Sequence, residues 1–138
     1  RDGSGLIKAV TGALKQSGLA AEQISAVCAH GTGTIHNDAM ELTAFHRVFG
    51  NHTPPLFSVK GAIGHTLGAA GGIEAALGAT ALSRQTAPPT TGFLEPETGA
   101  EGWVHGDPVR ISGDCLLSTN SGFGGINAAI ILGKGTPE

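Results

Sequence analysis

A lysine and a histidine five positions apart, Lys60 and His65, lie in the segment SVKGAIGHTLGAAGG, residues 58–72. The rest of this segment is almost entirely glycine, alanine and small apolar residues, which let backbone segments approach closely. Both titratable side chains could supply a charge, a proton or a hydrogen-bond donor to a reacting group. Two interpretations are open: the pair marks a surface loop, or the loop exists to hold the pair in place.

Two further polar, glycine-rich segments follow the same pattern. HGTGT, residues 30–34, comes directly after the apolar run at 24–29, as KGAIGH follows the run at 55–59, and TNSGFGG, residues 119–125, separates two more apolar runs. Taken alone, a histidine after a strand is usually a loop residue and a lysine in a glycine loop is usually solvated. Ligand sites of α/β sheets lie at the carboxyl ends of strands. We therefore expect the three loops to converge on one site.

Composition and spacing argue against several other classes. The chain of 138 residues has a net charge of −3 and no basic stripe of the kind that binds nucleic acid. No apolar run approaches the ~20 residues of a membrane span. None of the six histidines forms H-E-x-x-H and neither cysteine lies in C-x-x-C, so no metal site is expected. A phosphate-binding loop is excluded as well, because the lysine precedes the glycines.

The spacing of apolar residues predicts the elements that position these loops. A helix is expected over residues 4–17 with Gly18 as its stop, and Asn37 or Asp38 is expected to cap a second helix that ends at Gly50. Short buried strands are expected over 24–29 and 55–59, the runs that precede the first two polar loops.

The second half of the chain is predicted to complete an α/β fold. A helix with an Ala/Gly face is expected from Leu67 to about Arg84, followed by a long, proline-rich surface excursion over 85–108. The runs at 109–119 and 126–133 predict two strands of an antiparallel hairpin. We expect the uniformly apolar strands to be central in the sheet.

The two cysteines predict a compartment. Cys28 and Cys115 lie in apolar runs and are expected to be buried free thiols, which favours a reducing, cytoplasmic location. The chain opens at Arg1 without a methionine or a signal-peptide pattern, so Arg1 is expected to be a cut or a boundary.

At HGTGT, K-x-x-x-GHTLGAAG and GFGG-x-N together, the sequence resembles the β-ketoacyl-acyl-carrier-protein synthases, the decarboxylating condensing enzymes of fatty acid and polyketide synthesis. The match runs in order from about residue 2 to 133. The resemblance implies the C-terminal half of a thiolase-like α/β fold with a mixed central sheet and packed helices. Residues 1–138 would then be one partial domain without the N-terminal half, where the family's catalytic cysteine lies.

The resemblance implies catalytic roles for three residues. His30 and His65 match the two family histidines that face the cysteine, assist decarboxylation of the malonyl thioester and stabilise the enolate. Neutral imidazoles could supply the hydrogen-bond donors that this needs. Lys60 matches the lysine whose charge tunes the site, and Glu41 matches the supporting glutamate commonly paired with that lysine.

The resemblance also implies contacts with the substrate. Thr32 and Thr34 match hydroxyls that bind the phosphopantetheine arm. Phe123 matches the aromatic gate of the acyl pocket, and its N–H would complete an oxyanion hole with that of the cysteine. The family usually reads N-S-F-G-F-G-G-T-N where this chain has NSGFGGIN. Either one Phe–Gly step is missing or Ser121 replaces the first phenylalanine, and Ile126 replaces a common threonine.

The implied function is that of an acyltransferase performing decarboxylative Claisen condensation between an acyl thioester and malonyl-acyl-carrier protein. This chain alone is expected to be inactive, because the nucleophile is missing. The implied partners are acyl carrier protein, the missing N-terminal half and a second subunit, in a homodimer or possible heterodimer of the complete enzyme. No nucleic acid or membrane partner is expected. No cofactor is expected either, beyond the phosphopantetheine or CoA that carries the substrates.

Two alternatives remain open. The chain could belong to a non-catalytic partner of the chain-length-factor type, although such a subunit has no need of both histidines and the lysine. It could also be a self-contained Cys–His hydrolase built on Cys28 and His30. Residues i and i+2 of a strand point the same way, but their parallel side chains rarely reach hydrogen-bond contact.

Overall fold

The computed structural model describes residues 2–135. Its helices are α1 (Ser4–Ser17), α2 (Ile35–Phe49), α3 (Lys60–Ile63) and α4 (Ala70–Arg84), and its strands are β1 (Ile24–Cys28), β2 (Leu56–Phe57), β3 (Thr86–Ala87), β4 (Val109–Arg110), β5 (Cys115–Gly122) and β6 (Ile126–Gly133). Single turns of 3-10 helix lie at Ala21–Gln23, Leu67–Ala69 and Phe123–Gly125.

The central sheet is mixed. Its strand order is β2-β1-β5-β6, in which β1 pairs in parallel with both β2 and β5, whereas β5 pairs antiparallel with β6. This arrangement confirms the predicted fold class and the hairpin near the end of the chain. Because β1, β2 and β5 are parallel, their carboxyl ends lie at the same edge of the sheet.

Helices cover both faces of this sheet. α1 buries Leu6, Val10 and Leu14 in a core shared with α2 and with Val27 and Leu117 of the sheet. The neighbouring strand residues Ala26 and Leu116 point to the opposite face and pack with α4, as the alternation of side chains along a strand requires. α1 ends as predicted at Gly18, whose φ of 70° is the left-handed conformation that glycine adopts readily.

The Ala/Gly face of α4 lets this helix lie close to the sheet. A Cβ atom at Gly78 would lie 3.0 Å from Cδ2 of Leu116 and 3.2 Å from Cδ1 of Leu132. The predicted close approach is thus present. The helix differs from the prediction at its start, because a 3-10 turn at Leu67–Ala69 precedes the first α-helical residue, Ala70.

α2 begins earlier than its sequence predicts. The N-cap residue is Thr34, so Asn37 and Asp38 lie within the first turn. Asn37 does not cap the helix because its side-chain amide donates to Glu41 Oε2 at 3.0 Å, one turn further along. The predicted cap is therefore wrong by about one turn of the helix.

The segment 85–108 is only in part the surface excursion that its prolines predict, because Leu94 is 91% exposed whereas other residues of the segment enter the core. Ala87, Ala100 and Trp103 are buried, and the carbonyl oxygen of Trp103 accepts the N–H of Leu56 at 2.7 Å. The indole ring packs against Phe49 with the ring centroids 6.0 Å apart. Burial of these apolar groups outweighs the local preference of proline-rich sequence for exposed loops.

Two predicted strands also differ. The run at 109–119 is divided, because β4 leaves the central sheet to pair with β3 and β5 begins only at Cys115. β6 lies at the edge of the sheet rather than at its centre, and it exposes Ile126 and Ile130.

Candidate active site

Three strand ends bring polar side chains together at one edge of the sheet. His30 lies just beyond the end of β1, Lys60 opens α3 just beyond β2, and Asn120 lies near the carboxyl end of β5. The imidazole centroids of His30 and His65 are 5.2 Å apart, with ring planes at 79°. The convergence that the sequence predicted for the first two loops is present, and Asn120 is the contribution of the third.

Lys60 is buried and paired with a carboxylate. Its ammonium forms an ion pair with Glu74 of α4 and donates to the carbonyl oxygen of His30 at 2.5 Å. The two charged side chains are only 6% and 2% exposed. The expectation that Glu41 pairs with Lys60 is wrong. α4 packs against β5 and thereby brings Glu74 to the ammonium, whereas the carboxylate of Glu41 on α2 is bound to backbone groups.

Glu41 holds the HGTGT loop instead. Its Oε1 accepts the backbone N–H of His30 at 2.9 Å, and its Oε2 accepts the N–H of Gly31 at 2.7 Å. Burial raises the pKa of Glu41 to about 7, and the two backbone N–H groups limit that rise because they stabilise the carboxylate. Glu41 therefore fixes the backbone directly beside the His30 imidazole.

Asn120 connects the ion pair to His30. Its Nδ2 donates to Glu74 Oε2 at 2.7 Å, and its Oδ1 lies 3.3 Å from Nδ1 of His30. Neither Glu74 nor Asn120 was predicted from the sequence. Glu74 carries a signal that could have found it, since it is the one carboxylate in the small-residue segment AGGIEAALGATAL. Asn120 carries no signal beyond its place in NSGFGG.

The two histidines have different surroundings. Burial, and secondly the nearby Lys60 charge, lower the pKa of His30, so its imidazole is neutral at neutral pH. His65 is exposed, and its Nδ1 accepts the N–H of Leu67 at 3.1 Å. Leu67 adopts a φ of 52°, which is uncommon for a residue with a side chain. A strained backbone thus orients the His65 ring.

A cavity of about 400 Å³ opens beside these groups. Thr32, Glu41, Lys60 and His65 line one part of it, and residues 90–93 line another. The hydroxyls of Thr32 and Thr34 are 2.9 Å apart, and Thr34 is exposed just before α2. The cavity is large enough for part of an elongated substrate to lie against His65.

Phe123, the predicted aromatic gate, does not line this cavity. Its side chain is fully exposed at the 3-10 turn between β5 and β6 and is not among the described residues that line the cavity. The structure thus brings together His30, Lys60 and His65, with Thr32 lining the cavity beside Lys60 and His65, whereas Phe123 is exposed.

Cys28 is unsuited to act as a nucleophile. Burial raises the pKa of its thiol to about 12, and the nearby Glu74 carboxylate contributes to that rise. Cys115 is half-buried at the start of β5, at the end of that strand remote from Asn120. Both observations disfavour a Cys–His hydrolase.

Neither a metal site nor a membrane-spanning helix is found within residues 2–135. No group of three or more His, Cys, Asp or Glu side chains there is arranged to hold a metal ion. No helix in that part of the chain combines the length and the apolar character needed to cross a bilayer.

Comparison with known proteins shows the class to which this fold belongs. The family described as β-ketoacyl synthase, C-terminal domain, matches residues 1–94. The chain belongs to the β-ketoacyl synthase family.

Individual relatives support this assignment. The chain is 38% identical over 136 residues to 3-oxoacyl-acyl-carrier-protein synthase 2 of Synechocystis sp., a match that covers 96% of this chain and 33% of that protein. The ishigamide ketosynthase/chain length factor is similar in structure, with a TM-score of 0.92, 31% identity and coverage of 98% of this chain and 34% of the other. A type II polyketide ketosynthase in complex with its acyl-carrier protein, bound to the hexaketide, gives a TM-score of 0.91 at 26% identity, covering 98% and 34%. The chain thus spans about one third of the length of these relatives.

Proposed function

We propose that this chain is the histidine-bearing part of an acyltransferase that condenses an acyl thioester with malonyl-acyl-carrier protein. The single observation that carries the proposal is the position of the His30 and His65 rings, 5.2 Å apart beside the buried Lys60–Glu74 pair. Fixed dipoles and a fixed charge in a partly dry site stabilise charge that develops during a reaction.

The reaction proceeds in two transfers. A cysteine outside these residues attacks the acyl thioester, and the carrier thiol leaves. The bond between the malonyl carboxylate and its α-carbon then breaks, carbon dioxide leaves, and the electron pair forms an enolate. The enolate carbon attacks the acyl-cysteine carbonyl, and the cysteine thiolate departs.

Residues of this chain act on the second transfer. His65 keeps Nδ1 as an acceptor for Leu67, so its Nε2–H is available to the enolate oxygen. Lys60 adds a fixed positive charge beside His30, because its ammonium donates a hydrogen bond to the backbone carbonyl oxygen of that residue. Thr32 and Thr34 would bind the phosphopantetheine arm at the mouth of the cavity, and Phe123 would gate the acyl chain.

The proposed partners are acyl carrier protein, the polypeptide that supplies the nucleophile and a second subunit. A similar structure was described with its acyl-carrier protein, and another pairs a ketosynthase with a chain length factor. We place the reaction in the cytoplasm, for which the two free thiols are supporting evidence. No cofactor is needed, because phosphopantetheine or CoA carries both substrates.

The first test locates the nucleophile. This chain and the full-length polypeptide that contains it are each incubated with excess reactive acyl thioester, and their intact masses are measured. We expect one acyl group on the full-length polypeptide and none on this chain. Acylation of Cys28 or Cys115 would contradict the proposal. An unacylated full-length polypeptide would favour the chain-length-factor alternative.

The second test uses His30→Ala and His65→Ala in the full-length polypeptide. Each should lower the condensation rate by about 10²–10³-fold, the usual effect of removing one group that stabilises an oxyanion. Acylation of the cysteine should persist in both variants. His36→Ala is the matched control, because His36 is exposed on α2. Undiminished condensation in either active-site variant would overturn the assignment.

A further inference from the structure

Ser58 is a buried polar residue that the proposed mechanism does not use. It lies just beyond β2, two residues before Lys60, and is 7% exposed. Its hydroxyl donates to the carbonyl oxygen of Gly31 at 2.8 Å, and its Oγ accepts the backbone N–H of Lys60 at 3.3 Å. A serine hydroxyl has one donor hydrogen and two acceptor lone pairs, so it can make both bonds at once. Ser58 thus bridges the loop that follows β1 and the start of α3.

A third hydrogen bond ties Ser58 to the segment 90–93. The backbone N–H of Ser58 donates to Oγ1 of Thr90 at 3.3 Å. Ser58 and Thr90 both line the cavity, as does Gly31. Ser58 therefore joins three segments of the chain that surround the cavity.

The bridge depends on a close approach that glycine allows at position 31. A Cβ atom at Gly31 would lie 2.5 Å from Cβ of Ser58 and 2.7 Å from its Oγ. The Gly31 backbone is held on both sides, because Glu41 accepts its N–H at 2.7 Å and Ser58 donates to its carbonyl oxygen. The loop is thus fixed between α2 and the end of β2.

Fixing the Gly31 carbonyl also fixes the residue that follows it. The carbonyl of Gly31 and the N–H of Thr32 belong to one planar peptide unit, in which they point in opposite directions. The hydrogen bond from Ser58 therefore sets the direction in which the backbone enters Thr32. Thr32 lines the cavity, and its hydroxyl lies 2.9 Å from that of Thr34. Rotation of this peptide unit would move the Thr32 hydroxyl.

We propose that Ser58 is a positioning residue for the carrier-bound substrate: its hydroxyl holds the peptide unit between Gly31 and Thr32, so that Thr32 stays in place to bind the phosphopantetheine arm. This role rests on the proposed function, in which Thr32 binds that arm. Ser58 acts through Thr32 and does not itself touch the reacting atoms. The contacts of the Lys60 ammonium do not involve the Ser58 hydroxyl, so the charge of the site persists without it.

The first readout is the kinetics of the full-length polypeptide with malonyl-acyl-carrier protein as the varied substrate. Ser58→Ala should raise KM about 3–10-fold, the factor that corresponds to one net hydrogen bond, and should change kcat by less than about twofold. A merely structural loss would lower the amount of folded enzyme, which lowers the apparent kcat and leaves KM unchanged. An unchanged KM in Ser58→Ala would overturn the proposal.

Ser25→Ala is the matched control. The Ser25 hydroxyl makes a similar bond, to the carbonyl oxygen of Cys115 at 2.6 Å, but it lies near the opposite end of β1 from the HGTGT loop. This variant loses the same kind of hydrogen bond and should leave KM unchanged.

A double-variant cycle tests whether Ser58 acts through Thr32. Thr32→Val removes the hydroxyl that binds the arm and should itself raise KM. In the Thr32→Val background, Ser58→Ala should raise KM further by less than about twofold, because the contact that Ser58 positions is already lost. If Ser58→Ala has the same effect on KM in both backgrounds, Ser58 acts by another route and the proposal is overturned.

Hydrogen exchange reads the state of the loop without reference to activity. The Gly31 amide, which is bound to Glu41, should exchange about 3–10-fold faster in Ser58→Ala than in the wild type and should not change in Ser25→Ala. If exchange accelerates but the full-length polypeptide performs no condensation, the proposed function fails while the hold of Ser58 on the loop stands. If condensation occurs but neither KM nor exchange responds to Ser58→Ala, the proposed function stands and the role of Ser58 fails.

Discussion

The ammonium of Lys60 donates a hydrogen bond to the backbone carbonyl oxygen of His30, thirty residues earlier in the chain. Glu41 accepts the backbone N–H of the same histidine. His30 is thus held at both backbone groups by charged side chains from two other elements, and its ring is held by a third contact with Asn120. These bonds fix the direction of the imidazole without using its Nε2.

Removing one member of the Lys60–Glu74 pair should destabilise the fold strongly. Lys60→Met or Glu74→Met leaves a buried charge without its partner, which costs about 3–5 kcal/mol. The double variant should lose much less than the sum, because no uncompensated charge remains. Denaturant unfolding measures all three. Lys15→Met, at an exposed position of α1, is the control and should change the free energy of unfolding by less than about 0.5 kcal/mol. Additive losses would contradict the coupling.

Stability should depend on pH through Glu41. The pKa of this carboxyl is raised from 4.5 to about 7 by burial. Between these values the native state binds more protons than the unfolded chain, so the free energy of unfolding falls as the pH rises. The full effect of Glu41 is on the order of 3 kcal/mol, because a tenfold change in proton affinity corresponds to roughly 1.4 kcal/mol.

The free energy of unfolding of the wild type and of Glu41→Gln is measured with denaturant at several pH values from 4.5 to 7. The slopes of the two against pH are then compared. Glu41→Gln should flatten the slope, whereas Glu22→Gln, at an exposed position, should not. A slope that Glu41→Gln leaves unchanged would show that another group titrates in this range.

Two glycines of the HGTGT loop should respond differently to alanine. Both have positive φ, 43° for Gly31 and 70° for Gly33, so each substitution carries backbone strain of about 1–2 kcal/mol. A Cβ at Gly31 would also lie 2.5 Å from Cβ of Ser58, whereas nothing lies within 4 Å of one at Gly33. Gly31→Ala should therefore cost about 1–3 kcal/mol more than Gly33→Ala in thermal or denaturant unfolding. Equal losses would mean that the loop and Ser58 move apart freely.

Cys28 should resist alkylation in the native state. Its thiol is buried and its pKa is raised to about 12, so almost no thiolate is available at pH 7. Iodoacetamide followed by intact-mass and peptide analysis should modify Cys115 before Cys28. Denatured protein, in which both thiols react, is the control. Rapid native modification of Cys28 would show that β1 opens, and would revive Cys28 as a candidate nucleophile.

The sequence alone predicts the position of a site residue in the fold when that residue directly follows a recognisable strand. His30 and Lys60 each follow a short apolar run, so their meeting at one sheet edge could be predicted from parallel strands. The same logic could not choose between Glu41 and Glu74 as the partner of Lys60. The partner depends on how α4 packs against the sheet. The close contact at Gly78 is set by tertiary packing and not by the local sequence.

The segment 85–108 also shows that local sequence patterns do not predict every buried residue. Proline and low periodicity predict a surface loop, but Trp103 fills a space between β2 and α2 that no local pattern reveals. Asn120 was hidden for a related reason. An asparagine in a glycine turn is ordinary, and its role depends on residues 46 and 90 positions away.

These separations have a consequence for the order in which the chain folds. The bonds of the site join residues 30, 46 and 90 positions apart, whereas the helices need only local contacts. Closing long loops is slow, so non-local contacts form late. During synthesis, His30 and Lys60 emerge before Asn120 exists to contact them. We therefore expect the buried ammonium and imidazole to acquire their final geometry only when β5 docks between β1 and β6, late in folding.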